Sequence, residues 1–236
     1  MSTDHLHPIG ESEIQAAVDL LIDSFQDDPL WRVAVPVDGD QNRSRRAFFE
    51  CPLRYGLTYG KVYASSPALE GLAVWVPGRL ADMSFWRLFR SGAIRAALGM
   101  EKESVRKLKI LSDTVVPDRK RHMKDRNYWY VVVIGVRTAH QGQGIGSRLM
   151  EAITAECDAA GEPLYLETET EANLPFYAKH GFEVIGRVTL PELDLPMWEL
   201  VREPGGASQS GAAEAPASWS ETKDASSRSR STGAPG

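Results

Sequence analysis

The chain is poor in the residues that mark a stapled, secreted or membrane-spanning protein. It has two cysteines in 236 residues, Cys51 and Cys157, and neither has a CxxC partner. No disulfide framework or zinc site is indicated, and a reducing, cytoplasmic setting is expected. The most apolar run, residues 129–136, is far shorter than the roughly 20 residues of a transmembrane helix. The opening MSTDHLHPIG has no basic segment followed by an apolar core, so no secretory signal is expected. Excess positive charge is also lacking. The 27 Lys and Arg stand against 32 Asp and Glu, a net charge of −5, so no global field recruits nucleic acid. The basic run Arg119-Lys120-Arg121 lies between Asp118 and Asp125 and reads as a solvated face. His140 and His180 match no metal-ligand spacing. These absences indicate no nucleic-acid, membrane or metal partner.

What the chain does have is concentrated in Tyr128 to Gly146, YWYVVVIGVRTAHQGQGIG. Residues 129–136 are nearly all aromatic or β-branched, which suits a strand covered on both faces. The polar Arg137-Thr138-Ala139-His140 reads as a loop. From Ile145 the period changes. Ile145, Leu149, Ile153 and Cys157 recur every four residues and Met150 widens the stripe, so a helix with one buried face begins there. Gly161 stands where a left-handed cap ends it. Gly142, Gly144 and Gly146 let a ligand approach the backbone without meeting a Cβ. The unpaired amides of the first turn and the helix dipole favour an anion there. With a strand before it and an amphipathic helix after it, this loop reads as a phosphate or pyrophosphate cradle rather than a merely flexible connection.

Residues 5–9 suggest a short first strand. Ser12-Glu13-Ile14-Gln15 has capping-box spacing, and Ile14, Ala17, Val18, Leu21, Ile22 and Phe25 follow helical spacing up to about Asp27-Asp28-Pro29. A loop is expected over residues 31–42, then a helix over 43–59 that Pro52 should kink or split. Residues 61–65 and 72–76 read as a hairpin. In residues 77–127 an aromatic cluster (Met83, Phe85, Trp86, Leu88, Phe89) precedes a charged amphipathic helix over 101–115. A strand over 164–168, a short helix over 172–180 and strands over 182–188 and 197–202 follow. From residue 204 the chain is Gly, Ala, Ser and Pro without apolar periodicity. Residues 1–203 therefore read as one domain and 204–236 as a disordered, low-complexity tail. The order of elements implies a mixed α/β fold, a central mixed sheet flanked by helices. Ligands of such sheets bind at the carboxyl ends of the strands, which places the glycine loop and the Glu167 region at one edge.

The second informative cluster is Asn173-Leu174-Pro175-Phe176-Tyr177 with Gly181-Phe182. Asn173 suits an N-cap, Pro175 a first turn and Gly181 a C-cap. Tyr177 could donate a proton to a ligand atom at the shared edge, although for a lone tyrosine packing is the commoner explanation. Taken together, Gln141-x-x-Gly144-x-Gly146 after Val136, then Asn173-x-x-Phe176-Tyr177 and Gly181-Phe182, resembles the GNAT superfamily of N-acetyltransferases. The flanks AVWVPG, YWYVVVIGV, LYLETETEANLPFYAKHGFEV and MWELVREP are similar to those of puromycin N-acetyltransferase and its relatives. The likeness spans residues 5–203 and is weakest over 77–127.

This resemblance implies a GNAT-like acyl-CoA N-acyltransferase fold, with acetyl-CoA as co-substrate in a wedge between two splayed strands. Its pantetheine would pair with the backbone of Ile134, Gly135 and Val136. Its pyrophosphate would rest on the amides of Gln141, Gly142, Gln143, Gly144, Ile145, Gly146 and Ser147. Asn173 and Phe176 would border the cofactor arm, and Tyr177 would be the general acid for the departing thiolate. An attacking amine must be neutral. Glu167, at its strand end, is the first candidate to accept the proton, ahead of Glu169 and Glu171. A backbone N–H near Val136 would serve the oxyanion. Asp27, Asp28 and Trp31 would wall a pocket for an aminated or ring-bearing small molecule. A non-catalytic acyl-CoA sensor and a protein N-acetyltransferase are alternatives on the same fold. A Rossmann unit fits less well, because Ser147 stands where its third glycine belongs. Nucleic-acid binding through residues 119–126 lacks a reading motif.

Overall fold

The computed structural model describes residues 3–34 and 41–206. A two-residue strand β1 (His7–Pro8) opens the chain. A 3-10 turn over Glu11–Glu13 then leads into α1 (Ile14–Ser24), which buries Ile14, Ala17, Val18, Leu20 and Leu21. The entry to α1 is held differently from the expected capping box. Glu13 reaches back to the Gly10 N–H at 2.9 Å, three residues upstream. The next element replaces an expected loop. Residues 29–34 form α2 (Pro29–Ala34), because the Asp28 carboxylate accepts the Trp31 N–H at 3.0 Å and Pro29 occupies the first helical position. The remainder of that expected loop, residues 35–40, lies outside the described residues.

Helix α3 (Gln41–Tyr59) runs through Pro52 as one element and is not split. Pro52 removes one backbone donor, but Phe49 and Leu53 beside it are buried against α1 and the sheet, and tertiary burial outweighs the local defect. Strands β2 (Lys61–Ala64) and β3 (Gly71–Pro77) form the expected hairpin. Two short helices follow, α4 (Phe85–Arg90) and α5 (Ala93–Ala97). Helix α6 (Lys102–His122) is longer than expected and continues through Pro117. Then come β4 (Trp129–Val136), α7 (Ile145–Ala160), β5 (Leu164–Thr168), α8 (Leu174–Lys179), β6 (Glu183–Leu190) and β7 (Leu195–Arg202). Contacts continue past the expected domain boundary to Gly206, whose carbonyl accepts Arg202 Nη2 at 3.1 Å. The rest of the expected tail lies outside the described residues.

The seven strands form one sheet in the order β1-β2-β3-β4-β5-β7-β6. Every neighbouring pair is antiparallel except β4–β5. Alternation along β3 defines the two faces. Ala73 and Trp75 pack with α7, while Leu72 and Val74 pack with α1 and α3. The register of β4 slips opposite Val74 and Trp75, so Val132 has no partner in the ladder. Val132 and Val133 therefore both face α1 and α3, and Ile134 and Val136 then turn to the α7 face. Beyond this bulge β4 no longer pairs with β5. The parallel ladder consists of Trp129↔Leu164 and Tyr130↔Tyr165.

Arg119 corrects the expectation of a solvated basic face. Its side chain is 3% exposed, with Nη2 2.8 Å from Asp82 Oδ1 and Nη1 3.4 Å from Glu167 Oε1. The guanidinium lies 4.6 Å from the Tyr130 ring centre. Lys120 and Arg121, by contrast, stay exposed. Removing one member of a buried pair leaves the other charge uncompensated. Arg119→Ala should therefore lower stability by about 3–5 kcal/mol. Adding Glu167→Gln should recover part of that loss. Urea unfolding of the two variants measures both effects.

Candidate active site

The site begins where β4 ends. A 3-10 turn (Thr138–His140) leads to Gly142 and Gly144, both in the left-handed region with φ of 75° and 78°. Only glycine adopts these angles without strain. A Cβ at either position would meet nothing within 4 Å, so this backbone is open to an approaching group. Gly144 is the N-cap of α7, and the first bond into the helix runs from the Arg148 N–H to the Gly144 carbonyl at 3.0 Å. The amides of Ile145, Gly146 and Ser147 precede it and have no intrahelical partner by position. No acidic residue lies in that first turn, and Arg148, unremarked in the sequence reading, is exposed there. The tip is thus electropositive. Gln141 and Gln143 point inward. Their amide nitrogens donate to the Val136 and Ala139 carbonyls at 3.1 and 3.2 Å and fix the loop.

Helix α8 packs directly on this tip. A Cβ at Gly146 would lie 3.6 Å from the Phe176 ring, and His180 Nε2 lies 3.3 Å from Ser147 Oγ. Burial lowers the His180 pKa, so the neutral ring is a structural link between the two helices. Asn173 makes no capping bond. Its Nδ2 reaches Thr168 Oγ1 at 3.5 Å and ties the start of α8 to the end of β5. Ile134, Val136 and Phe176 join the same half-buried apolar wall. Gly135 is placed otherwise. A Cβ there would meet Ser24 Oγ at 2.8 Å and Phe25 at 3.0 Å, so Gly135 admits the end of α1 rather than facing the loop.

The sequence candidates for acid and base part company. Tyr177 is buried among Phe176 and Phe182 at ring distances of 5.3 and 5.7 Å. Burial, then the nearby charges of Glu169 and Asp28, hold its phenol in the protonated form. Glu169 is half-buried past the end of β5, with Asp28 as its charged neighbour. Burial first and Asp28 second push the Glu169 pKa well above the carboxylate range. Asp28, Glu169 and Tyr177 therefore form one cluster at the mouth of the β4–β5 split. Glu167 does not join it. Its carboxylate is 4% exposed and lies with Arg119, Tyr130 and Tyr165 under α6. Glu169 could have been favoured in the sequence as the first carboxylate beyond the strand end. Ser24 carried no such signal. Its hydroxyl accepts the Val136 N–H at 2.9 Å, so the amide expected to serve an oxyanion is already engaged.

Trp31, expected to wall an acceptor pocket, is instead buried with Phe25, Phe48 and Phe49 in the core beneath α1 and α3, stacked on Phe49 at 5.0 Å. Both cysteines lie elsewhere, buried, with thiols pushed up to about 12 by burial. Neither is poised as a nucleophile. Among the described residues no His, Cys, Asp and Glu group could hold a metal ion, and no helix is long and apolar enough to cross a membrane.

Comparison with known proteins agrees with this arrangement. Residues 115–184 match the acetyltransferase (GNAT) domain family. These residues span the end of α6, the β4–α7–β5 unit and α8. An uncharacterized N-acetyltransferase of Schizosaccharomyces pombe is 28% identical over 206 residues, covering 83% of this chain and 82% of that protein. Among solved structures, an acetyltransferase of Corynebacterium glutamicum related to histone acetyltransferase HPA2 aligns with a TM-score of 0.59 at 19% identity, over 84% of this chain and 95% of that one. The Drosophila melanogaster polyamine N-acetyltransferase that forms N-acetylagmatine aligns at 0.58 and 14% identity, over 84% and 98%. Arylalkylamine N-acetyltransferase 2 of Aedes aegypti aligns at 0.56 and 12%, over 84% and 97%. The fold is that of the GNAT acetyltransferase structures, and the family match covers residues 115–184. It is an acetyltransferase.

The Asp28–Glu169 contact has a consequence for stability. A carboxyl whose folded pKa is raised stabilises the fold below its unfolded value of 4.5, and that contribution is lost as pH rises through the elevated titration. Glu169→Gln keeps the protonated shape at all pH. As pH rises from below 4.5 through the raised Glu169 titration, the wild type should lose stability relative to this variant. Urea midpoints measured across that range test the sign.

Proposed function

We propose that the protein transfers an acetyl group from acetyl-CoA to a primary amine of a small molecule by direct attack. The observation that carries this reading is the β4–β5 split. It runs from an electropositive helix tip at Gly144 to the Asp28–Glu169–Tyr177 cluster. Bound there, acetyl-CoA supplies an activated thioester. The open amides of residues 145–147 would hold its pyrophosphate, and the main chain of Ile134 and Val136 would line the pantetheine arm. Asn173 and Phe176 border the same arm.

The chain's own groups then manage two protons. The Asp28–Glu169 pair, where burial and like charge raise the Glu169 carboxyl above its usual range, takes the proton of the incoming ammonium. The amine nitrogen bonds to the thioester carbonyl carbon and the C–S bond breaks. Tyr177, held protonated, gives its proton to the departing thiolate and recovers one from the nitrogen, which sheds its second proton as the amide forms. This assigns the base to the pair rather than to Glu167, whose charge is committed to Arg119. The carboxylates of Asp28 and Glu169 suit an aminated acceptor. Agmatine and arylalkylamines, named for the similar structures, are the first compounds to test, with puromycin-like aminoacyl amines beside them.

A thiol-release assay with acetyl-CoA and a panel of these amines, with peptides bearing free amino termini included, tests the reading. Turnover with small amines is expected. Turnover with peptides alone would make it a protein N-acetyltransferase, and cofactor binding without turnover would make it a sensor. Tyr177→Phe should lower kcat by about 10- to 100-fold without abolishing it. Gly144→Asp tolerates the left-handed backbone but places a carboxylate at the cradle. It should weaken acetyl-CoA binding about tenfold or more, while Gly144→Asn should not. Thermal stabilisation by acetyl-CoA reads out both.

A further inference from the structure

Three aromatic side chains of α4 face solvent. Phe85 is 61% exposed, Trp86 71% and Phe89 59%. Their rings touch one another edge-on, with centres 5.6 and 6.4 Å apart. The opposite side of the helix is anchored. Leu88 packs toward α3 and α5, and Arg87 Nη1 donates to the Asp82 carbonyl at 2.9 Å. The rings are thus presented outward by a fixed helix. Leu98, 74% exposed at the end of α5, extends the apolar set. Charge around it is one-sided. Residues 83–100 contain Arg87, Arg90 and Arg95 and no Asp or Glu, in a chain of net charge −5. Arg90 and Arg95 are exposed, and neither meets a carboxylate among the described residues.

We propose that α4 and α5 form a docking surface for anionic lipid, with Phe85, Trp86 and Phe89 at the headgroup–acyl boundary and Arg90 and Arg95 on the phosphates. Aromatic rings flanked by arginine are the side chains that such an interface favours, and a segment lying in the interface plane needs no membrane-spanning length. The expectation of no membrane partner rested on the lack of a long apolar run, which does not bear on this mode. Two other occupants fit less well. A second copy meeting face to face would bring the arginines of both copies together without a carboxylate between them. A groove-bearing protein reads anchors at i, i+3, i+4 and i+7, more than a six-residue helix can present. Attraction by a few arginines to a charged surface is modest and screened by salt, so the attachment is reversible.

The test is co-sedimentation of the full chain with sucrose-loaded vesicles. Equal parts phosphatidylcholine and phosphatidylglycerol are compared with phosphatidylcholine alone, at low and high salt. Partitioning onto the anionic vesicles should be at least about tenfold stronger and should fall with salt. Trp86→Ser with Phe89→Ser, and separately Arg90→Gln with Arg95→Gln, should each reduce it about tenfold while acetyl-CoA still raises the melting temperature. Equal binding to both vesicle types, no binding, or variants that bind like the wild type would overturn the proposal. So would light scattering that shows a wild-type dimer which Trp86→Ser converts to a monomer.

Discussion

The site depends on the early end of one hydrogen-bond ladder. β4 and β5 pair at two register positions and then separate. The cause lies on the other edge of β4, where Val132 stands unpaired against β3 and reverses which residues face which layer. Gly135, just beyond, has no side chain to keep α1 away, so the end of that helix rests on the strand. This contact aims the loop after α1 at the split and brings Asp28 to it. On the other side of the gap the chain leaves β5 at Thr168 and turns at once into α8, which carries Tyr177. A fully paired strand would offer no open main chain and would leave these side chains on separate layers. The gap is therefore the reason that the polar cluster exists, and the space that the proposed function uses.

Two glutamates placed two residues apart show how environment divides roles. Glu167 is still within the paired part of β5, where it and Glu199 lie opposite each other beneath α6. Burial raises its pKa, but Arg119 and the hydroxyls of Tyr130 and Tyr165 oppose that shift, and the carboxylate is tied into the core. Glu169 lies past the ladder, where its nearest charged neighbour is another carboxylate. Burial and like charge act in the same direction there. A group that holds a proton easily and releases it easily is useful at a reacting centre, whereas a neutralised ion pair is not.

Much of this architecture was written in local patterns. The central strand and α7 fall where the change of period in Tyr128 to Gly146 puts them, and Gly161 caps α7 at the left-handed angle expected of it. The illegible parts share a cause, which is distance in sequence. Asp28 and Glu169 meet only because two layers fold onto one gap. Arg119 looked like one charge in a solvated run because its partners, Asp82 and Glu167, belong to other elements. Helix α2 is six residues long, too short for a period to register, and the burial that keeps α3 continuous across Pro52 comes from α1 and the sheet. The aromatic cluster of α4 was visible as composition, but only the fold reveals that the rings face outward.

The same distinction between shared and unshared main-chain groups bears on where affinity for a bound cofactor arises. At Val136 both polar groups already have partners, the N–H with Ser24 and the carbonyl with Gln141. An arm that pairs with this residue exchanges one hydrogen bond for another, and the net gain from such an exchange is at most about 1 kcal/mol. The amides at the tip of α7 stand differently, since helix geometry leaves them without internal partners, and the dipole adds to their pull on an anion. The free energy of holding the cofactor is therefore concentrated at Gly144 and the first turn. In the proposed binding mode the strand mainly sets direction.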